Sequence, residues 1–219
     1  MFKIEKLDLL ISIYIFCIVV SEVMGGKTFP LATIGNFTLN ASVAIFVFPL
    51  IFTINDIIIE VYGVNKAKSV MRSGLTIIFL IMIYSVIVTA LPPSTRFAPT
   101  ENAYDTIFGL SVRFSFASLA AFALSDLMDI LIFAKLRERM HKKSLWLRTN
   151  LSNFISQLLD TVVFMVLAFY TFDQSFMANW SFLISLIIPY WLTKCGMSII
   201  ETPLVYLGVK WLKPKRGKR

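Results

Sequence analysis

Residues 73–91 read SGLTIIFLIMIYSVIVTAL, nineteen consecutive positions without a charged side chain. A bilayer core about 30 Å thick needs about 20 apolar residues in a helix. With the residues just before it, this stretch is a membrane span at 69–91. Working outward, five more stretches meet the same requirement, at about 7–24, 41–62, 107–136, 150–172 and 181–211. The first run is long, ends in Met24-Gly25-Gly26 and shows no small-residue cleavage pattern, so it reads as a span rather than a removed signal. The expected fold class is an all-α integral membrane protein of six transmembrane helices, one domain over 1–219. Composition agrees: hydrophobic residues make up 57% and charged residues 16%, with a mean hydropathy of +0.76. A soluble domain carries about a quarter charged residues. An ordinary soluble enzyme, a disordered tail and a secreted disulfide scaffold are excluded. The 2 Cys and 1 His leave no room for a metal cluster, and no cofactor is expected.

The net charge of +8 is uneven. Seventeen of the 21 Lys and Arg fall at 3–6, 66–72, 135–148 and 210–219, all on one side of a six-span topology. The other side holds Lys27, Arg96 and Arg113, and Lys194 lies within a span. Cytoplasmic loops carry the excess of Lys and Arg, which predicts both termini in the cytoplasm. The basic C-terminus then reads as attraction to anionic lipid, about 1 kcal/mol per charge, rather than as a nucleic-acid site. The sixth stretch contains Pro189, Gly196 and Pro203 and is expected to kink or break. Pro49 marks the second span, and residues 91–105 form the long outer loop. No residue pattern sets an oligomeric state, and a homo-oligomer stays open.

Seven charged residues stand mid-span in the expected helices: Asp56, Glu60, Asp126, Asp129, Asp160, Lys194 and Glu201, with Glu22 near the end of the first. A charge at mid-depth costs about 2.5–3.5 kcal/mol, so seven central, unpaired groups would cost about 20 kcal/mol. Such a cost calls for inward-facing partners or a hydrated cavity. Private interhelical hydrogen bonds, about 0.6 kcal/mol each on average, are the plainer explanation for any one of them. Spacing favours a shared interior. Asp56 and Glu60 are four apart, Asp126 and Asp129 three apart, and Lys194 and Glu201 seven apart, so each pair shares a helix face. Asn153, Gln157 and Asp160 form one stripe. The acid excess suits a ligand rich in hydrogen-bond donors or positive charge.

Catalytic signatures are missing. His141 is the only His, so there is no His-Glu-x-x-His zinc helix. The chain has no Gly-x-Gly-Asp, no Gly-x-Ser-x-Gly elbow and no phosphate-cradling glycine loop. Scattered acids in one chain do not suggest the repeating filter ring of a channel.

Four blocks carry a family likeness. They are Phe48-Pro49-Leu50-Ile51-Phe52-Thr53-Ile54-Asn55-Asp56 continuing through Glu60-Val61-Tyr62-Gly63 to Lys66-Ala67; Ser125-Asp126-Leu127-Met128-Asp129 with Phe133 and Leu136-Arg137; Trp146, Arg148, Ser152, Gln157, Asp160-Thr161 and Phe164; and Lys194 with Glu201-Thr202-Pro203 and Tyr206. In this order and spacing the chain resembles the queuosine precursor transporter family, also called the vitamin uptake transporter family. The resemblance implies a multi-pass bacterial or archaeal inner-membrane protein. It implies import of 7-deazaguanines, such as 7-cyano- or 7-aminomethyl-7-deazaguanine or queuine, for tRNA modification. It also implies a fold similar to the substrate-binding subunits of energy-coupling factor transporters. The alternative function is therefore such a subunit, needing a separate energising module.

The residue chemistry fits a deazapurine independently. A guanine-like edge presents an N–H beside an NH2, which one carboxylate can accept, and bases stack on aromatic side chains. Asp160 or Asp129 is expected to take the edge, with Gln157 and Asn153 reading carbonyl and ring nitrogens. Lys194 and Glu201 are expected to form a neighbouring pair or gate, and Asp56 and Glu60 complete the acidic set.

Overall fold

The computed structural model describes residues 4–139 and 145–212, with the side chains of 126–127, 129–153 and 197–202 outside the description. Six long helices and one hairpin follow in the order α1 Lys6–Met24, β1 Thr28–Ile34, β2 Phe37–Ser42, α2 Phe48–Tyr62, α3 Val64–Thr89, α4 Glu101–Arg139, α5 Leu145–Phe169 and α6 Phe176–Leu212. Five described segments are long and apolar enough to cross a membrane: Lys6–Met24, Val43–Tyr62, Val64–Thr89, Ala98–Ser125 and Phe176–Gly196. The described apolar part of α5, Phe154–Phe169, is shorter.

The hairpin is an addition to the expected helices; the span expected at 41–62 is found at Val43–Tyr62, with Ala41 and Ser42 belonging to β2. Its two-residue turn is Gly35-Asn36, and Gly35 takes a φ of 60°, the left-handed region that a tight hairpin turn requires. The register shifts between Pro30 and Ala32, leaving Leu31 as an extra residue. Pro30 has no N–H to give a ladder, so an irregularity there costs little. The chain then makes a short 3₁₀ turn at Val43–Phe46 before α2 starts at Phe48. Pro49 stands in the first turn of α2, where its missing N–H is one of the unpaired donors anyway. It marks a helix start, not a kink within a span.

Connections elsewhere are shorter than expected. One residue, Gly63, joins α2 to α3 at φ 84° and ψ 166°, a conformation open to glycine alone. The loop expected at 91–105 is interrupted by a 3₁₀ turn at Ala98–Thr100, and α4 begins at Glu101. The expected break in the sixth span does not occur: α6 runs unbroken through Pro189 and Pro203.

Without water to drive apolar faces together, membrane helices associate by close packing of small residues and interhelical hydrogen bonds. Gly74 on α3 admits Tyr14 and Ile18 of α1, and Gly208 on α6 admits Ile57 of α2. Leu10, Ile18, Ile54, Ile58, Val70 and Val209 pack into one core joining α1, α2, α3 and α6. A second core holds Met165 of α5 against Leu183, Leu186 and Tyr190 of α6. Arg113 of α4 donates Nε to the Leu167 carbonyl at 2.7 Å and a terminal nitrogen to the Tyr170 carbonyl, capping the end of α5 with a cation. Lys6 donates to the Trp211 carbonyl and sits 5.2 Å from the Trp211 ring centroid, so the start of α1 meets the end of α6.

Candidate functional site

A cavity of about 260 Å³ lies at the centre of the bundle, with lining residues from all six helices. The α1 wall is Tyr14, Ile18, Ser21 and Glu22, at spacings of four, seven and eight that place them on one face. The α2 wall is Phe48, Ile51, Phe52 and Asn55, the same periodic stripe. Helix α3 contributes Met71 and Gly74, α4 contributes Phe114, Ser118 and Phe122, α5 contributes Asp160, Thr161 and Phe164, and α6 contributes Tyr190 and Lys194. The size is close to the lower end for small-molecule sites, and a mostly apolar wall with a few converging polar groups is typical of them.

Two polar stations interrupt that wall. At the first, Lys194 Nζ lies 2.5 Å from Asp160 Oδ2, and the two side chains keep 12% and 29% of their surface. Each charge offsets the cost of burying the other. At the second, Glu22 is only 5% exposed. Its Oε1 accepts a 2.7 Å hydrogen bond from the Ser118 hydroxyl. Its Oε2 is buried with no close hydrogen-bond partner among the described residues, and the Ser115 hydroxyl, which makes no other hydrogen bond there, faces the same carboxyl as a further donor. The aromatic wall is ordered: Phe48 meets Tyr190 edge-on with centroids 5.5 Å apart, and Phe48 stacks toward Phe52 at 6.3 Å.

The hairpin is anchored beside this cavity. Tyr190 donates its hydroxyl to the Ser42 carbonyl at 3.2 Å, and Asn40 Nδ2 donates to Ser185 Oγ at 2.8 Å. Ser42 Oγ in turn donates to the Gly25 carbonyl at 2.5 Å. The end of β2 is thereby fixed between α1 and α6, and Ser42 and Ala44 line the cavity.

Of the residues expected at a shared site, Asp160 and Lys194 line the cavity and pair with each other. Asp56 and Glu60 do not: both are exposed on α2 and outside the lining. At about 100° per residue, Asp56 is turned one step past Asn55 and Glu60 about 40° further, away from the stripe that faces inward. Gln157 is half-buried and outside the lining, one turn before Thr161, whose hydroxyl donates to its carbonyl at 2.8 Å. The side chains of Asp126, Asp129, Asn153 and Glu201 lie outside the described residues. Glu22 was set aside in the sequence as a span-end residue. Its spacing from Tyr14 and Ile18 is the signal that could have found it. Asn55, beside the more conspicuous Asp56, is the other cavity residue passed over. Among the described residues, no three His, Cys, Asp or Glu side chains are grouped as a metal site.

A family model described as "Putative vitamin uptake transporter" matches residues 42–208, which bring to this cavity the walls contributed by α2 to α6. The chain belongs to that family. Three relatives are similar over much of this chain. A "Probable queuosine precursor transporter" of Bacillus subtilis is 29% identical over 185 residues, 82% of this chain and 76% of that protein. One of the same name from Haemophilus influenzae is 28% identical over 154 residues, 70% of this chain and 62% of that protein. The "Queuosine precursor transporter" of Escherichia coli is 28% identical over 137 residues, 61% of this chain and 58% of that protein. No solved structure matches the chain.

Proposed function

We propose that this protein imports queuosine precursors, 7-deazaguanines such as 7-cyano- or 7-aminomethyl-7-deazaguanine or queuine, for tRNA modification. The observation that carries the reading is one central cavity walled by six helices, holding carboxylates and aromatic rings, in a chain whose named relatives are queuosine precursor transporters. A planar heterocycle would slide between rings such as Phe48, Phe52 and Phe164, where stacking contributes about 1–3 kcal/mol per base. Asp160, held in place by Lys194, has a second oxygen to accept ring N–H donors, and Lys194 has further donors for a carbonyl or cyano group. In this reading Asp129, Asn153, Gln157 and Glu201 also take part in substrate binding.

Six crossings with both termini in the cytoplasm follow from the charge distribution, and the contact between Lys6 and Trp211 supports ends that share a side. The proposed compartment, the inner membrane of a bacterium or archaeon, is supported by the family resemblance and by relatives that are bacterial. The site then alternates between two openings as helices rock around it.

Uptake of radiolabelled 7-cyano-7-deazaguanine by cells dependent on this protein tests the reading. Expected is saturable uptake that falls about tenfold or more in Asp160→Asn, as loss of a charge-assisted hydrogen bond of about 1.5–3 kcal/mol requires. No uptake above background by the unaltered protein would reject the function. Repeating the assay in liposomes with the purified chain alone separates a self-sufficient carrier, which accumulates substrate, from a binding subunit, which does not.

A further inference from the structure

Glu22 has one carboxylate oxygen in use and one waiting. Ser118 donates to Oε1, while Oε2 has no partner among the described residues, although the side chain is 95% buried in the wall of the cavity. A buried acceptor without a donor is costly, about 1–3 kcal/mol and more for a charged group. The Ser115 hydroxyl facing the same carboxyl can fill one lone-pair position, and the positions left over suit the donors of a ligand. The cavity's other described carboxylate, Asp160, already has a cation at 2.5 Å. Among the described residues, Glu22 is thus the cavity acid with acceptor capacity uncommitted to a protein cation, and an ionised carboxylate has about four lone-pair positions for donors.

We propose that Glu22 is the anchoring residue for a planar heterocycle with adjacent N–H and NH2 groups, accepting both donors through its two oxygens. The proposal rests on the reading of the cavity as a deazaguanine site. Ser118 holds the carboxylate in one rotation, so its second oxygen is directed before the ligand arrives. This preorganisation reduces the ordering cost of binding. Two parallel charge-assisted hydrogen bonds also specify the ligand, because a site built to meet donors rejects an analogue lacking one. A phosphorylated nucleotide would bring negative charge beside an acid, so the class accepted is the free base or its uncharged or cationic derivatives.

The test is calorimetric titration of the purified, detergent-solubilised full chain with 7-deazaguanine and with 7-deazahypoxanthine, which lacks the amino group. The unaltered protein is expected to bind the amino ligand about 10- to 100-fold more tightly, the discrimination a bidentate pair provides. Glu22→Gln is expected to weaken the amino ligand by about tenfold or more and to shrink the preference to about threefold or less. Equal binding of both ligands by the unaltered protein, or a preference that Glu22→Gln leaves intact, overturns the proposal. If the unaltered protein binds neither ligand, the deazaguanine reading itself fails. If the preference survives in Glu22→Gln but disappears in Asp160→Asn, that reading stands and the anchor is Asp160. Should Glu22→Gln not fold, Ser118→Ala keeps the carboxylate and frees its orientation. It is expected to weaken the amino ligand about fivefold, the equivalent of one lost hydrogen bond, and unchanged binding there overturns the proposal.

Discussion

Lys194 of α6 and Asp160 of α5 form a 2.5 Å ion pair in the wall of the central cavity. Neither charge is compensated if its partner is removed. Lys194→Met and Asp160→Asn are each expected to lower stability by about 1–3 kcal/mol, less than a fully buried pair because both side chains keep some exposure. The double variant is expected to lose less than the sum of the two, with a coupling of about 0.5–3 kcal/mol. Thermal unfolding of the four proteins in detergent measures this. Strictly additive losses would mean the two side chains act independently.

Tyr190 ties α6 to the hairpin through the Ser42 carbonyl. Tyr190→Phe keeps the edge contact with Phe48 and deletes only that hydrogen bond, a change of about 0.5–1.5 kcal/mol. Faster amide hydrogen exchange across Phe37–Ser42, with α1 to α3 unchanged, is the expected readout. Unchanged exchange in β2 would assign the anchoring to Asn40 and Ser185 instead.

Gly63 and Gly35 both have positive φ and open space where a Cβ would stand, so substitution tests the backbone alone. Gly63, at ψ 166°, occupies a region that only glycine populates, and Gly63→Ala is expected to cost about 1–3 kcal/mol. Gly35→Ala, in the left-handed region, is expected to cost about 1–2 kcal/mol and to loosen only the hairpin. Thermal unfolding gives the first cost and hydrogen exchange at 28–42 the second. A global loss in Gly35→Ala equal to that of Gly63→Ala would contradict this ranking.

The helices were legible because hydropathy reports bilayer-depth residues directly. The span expected at 7–24 is α1 at Lys6–Met24, and that expected at 69–91 is α3 at Val64–Thr89. The expectation fell short at helix ends, since α4 reaches Glu101 and Arg139 through polar turns with no apolar signal. It did not foresee the hairpin at Thr28–Ser42, where only the pairing of β2 with β1 decides between strand and loop. For the site, spacing within one helix identified shared faces but not which face looks inward. Asp56 was the conspicuous residue of α2, yet Asn55 beside it lines the cavity. Glu22 looked peripheral because it stands two residues from the end of α1. The hairpin and the longer α4 and α6 extend the bundle beyond that end.

The amino-acid sequence by itself determined that the chain lives in a bilayer, because a run of apolar residues long enough to span hydrocarbon has no other low-energy environment. It also carried the family, through the order of four short blocks. Which acids meet a cavity was decided only by the tertiary structure, since facing is a property of how helices rotate against their neighbours. That rotation turned Asp56 and Glu60 outward, joined Asp160 to Lys194, and brought the Glu22 carboxylate to Ser118 in the cavity wall.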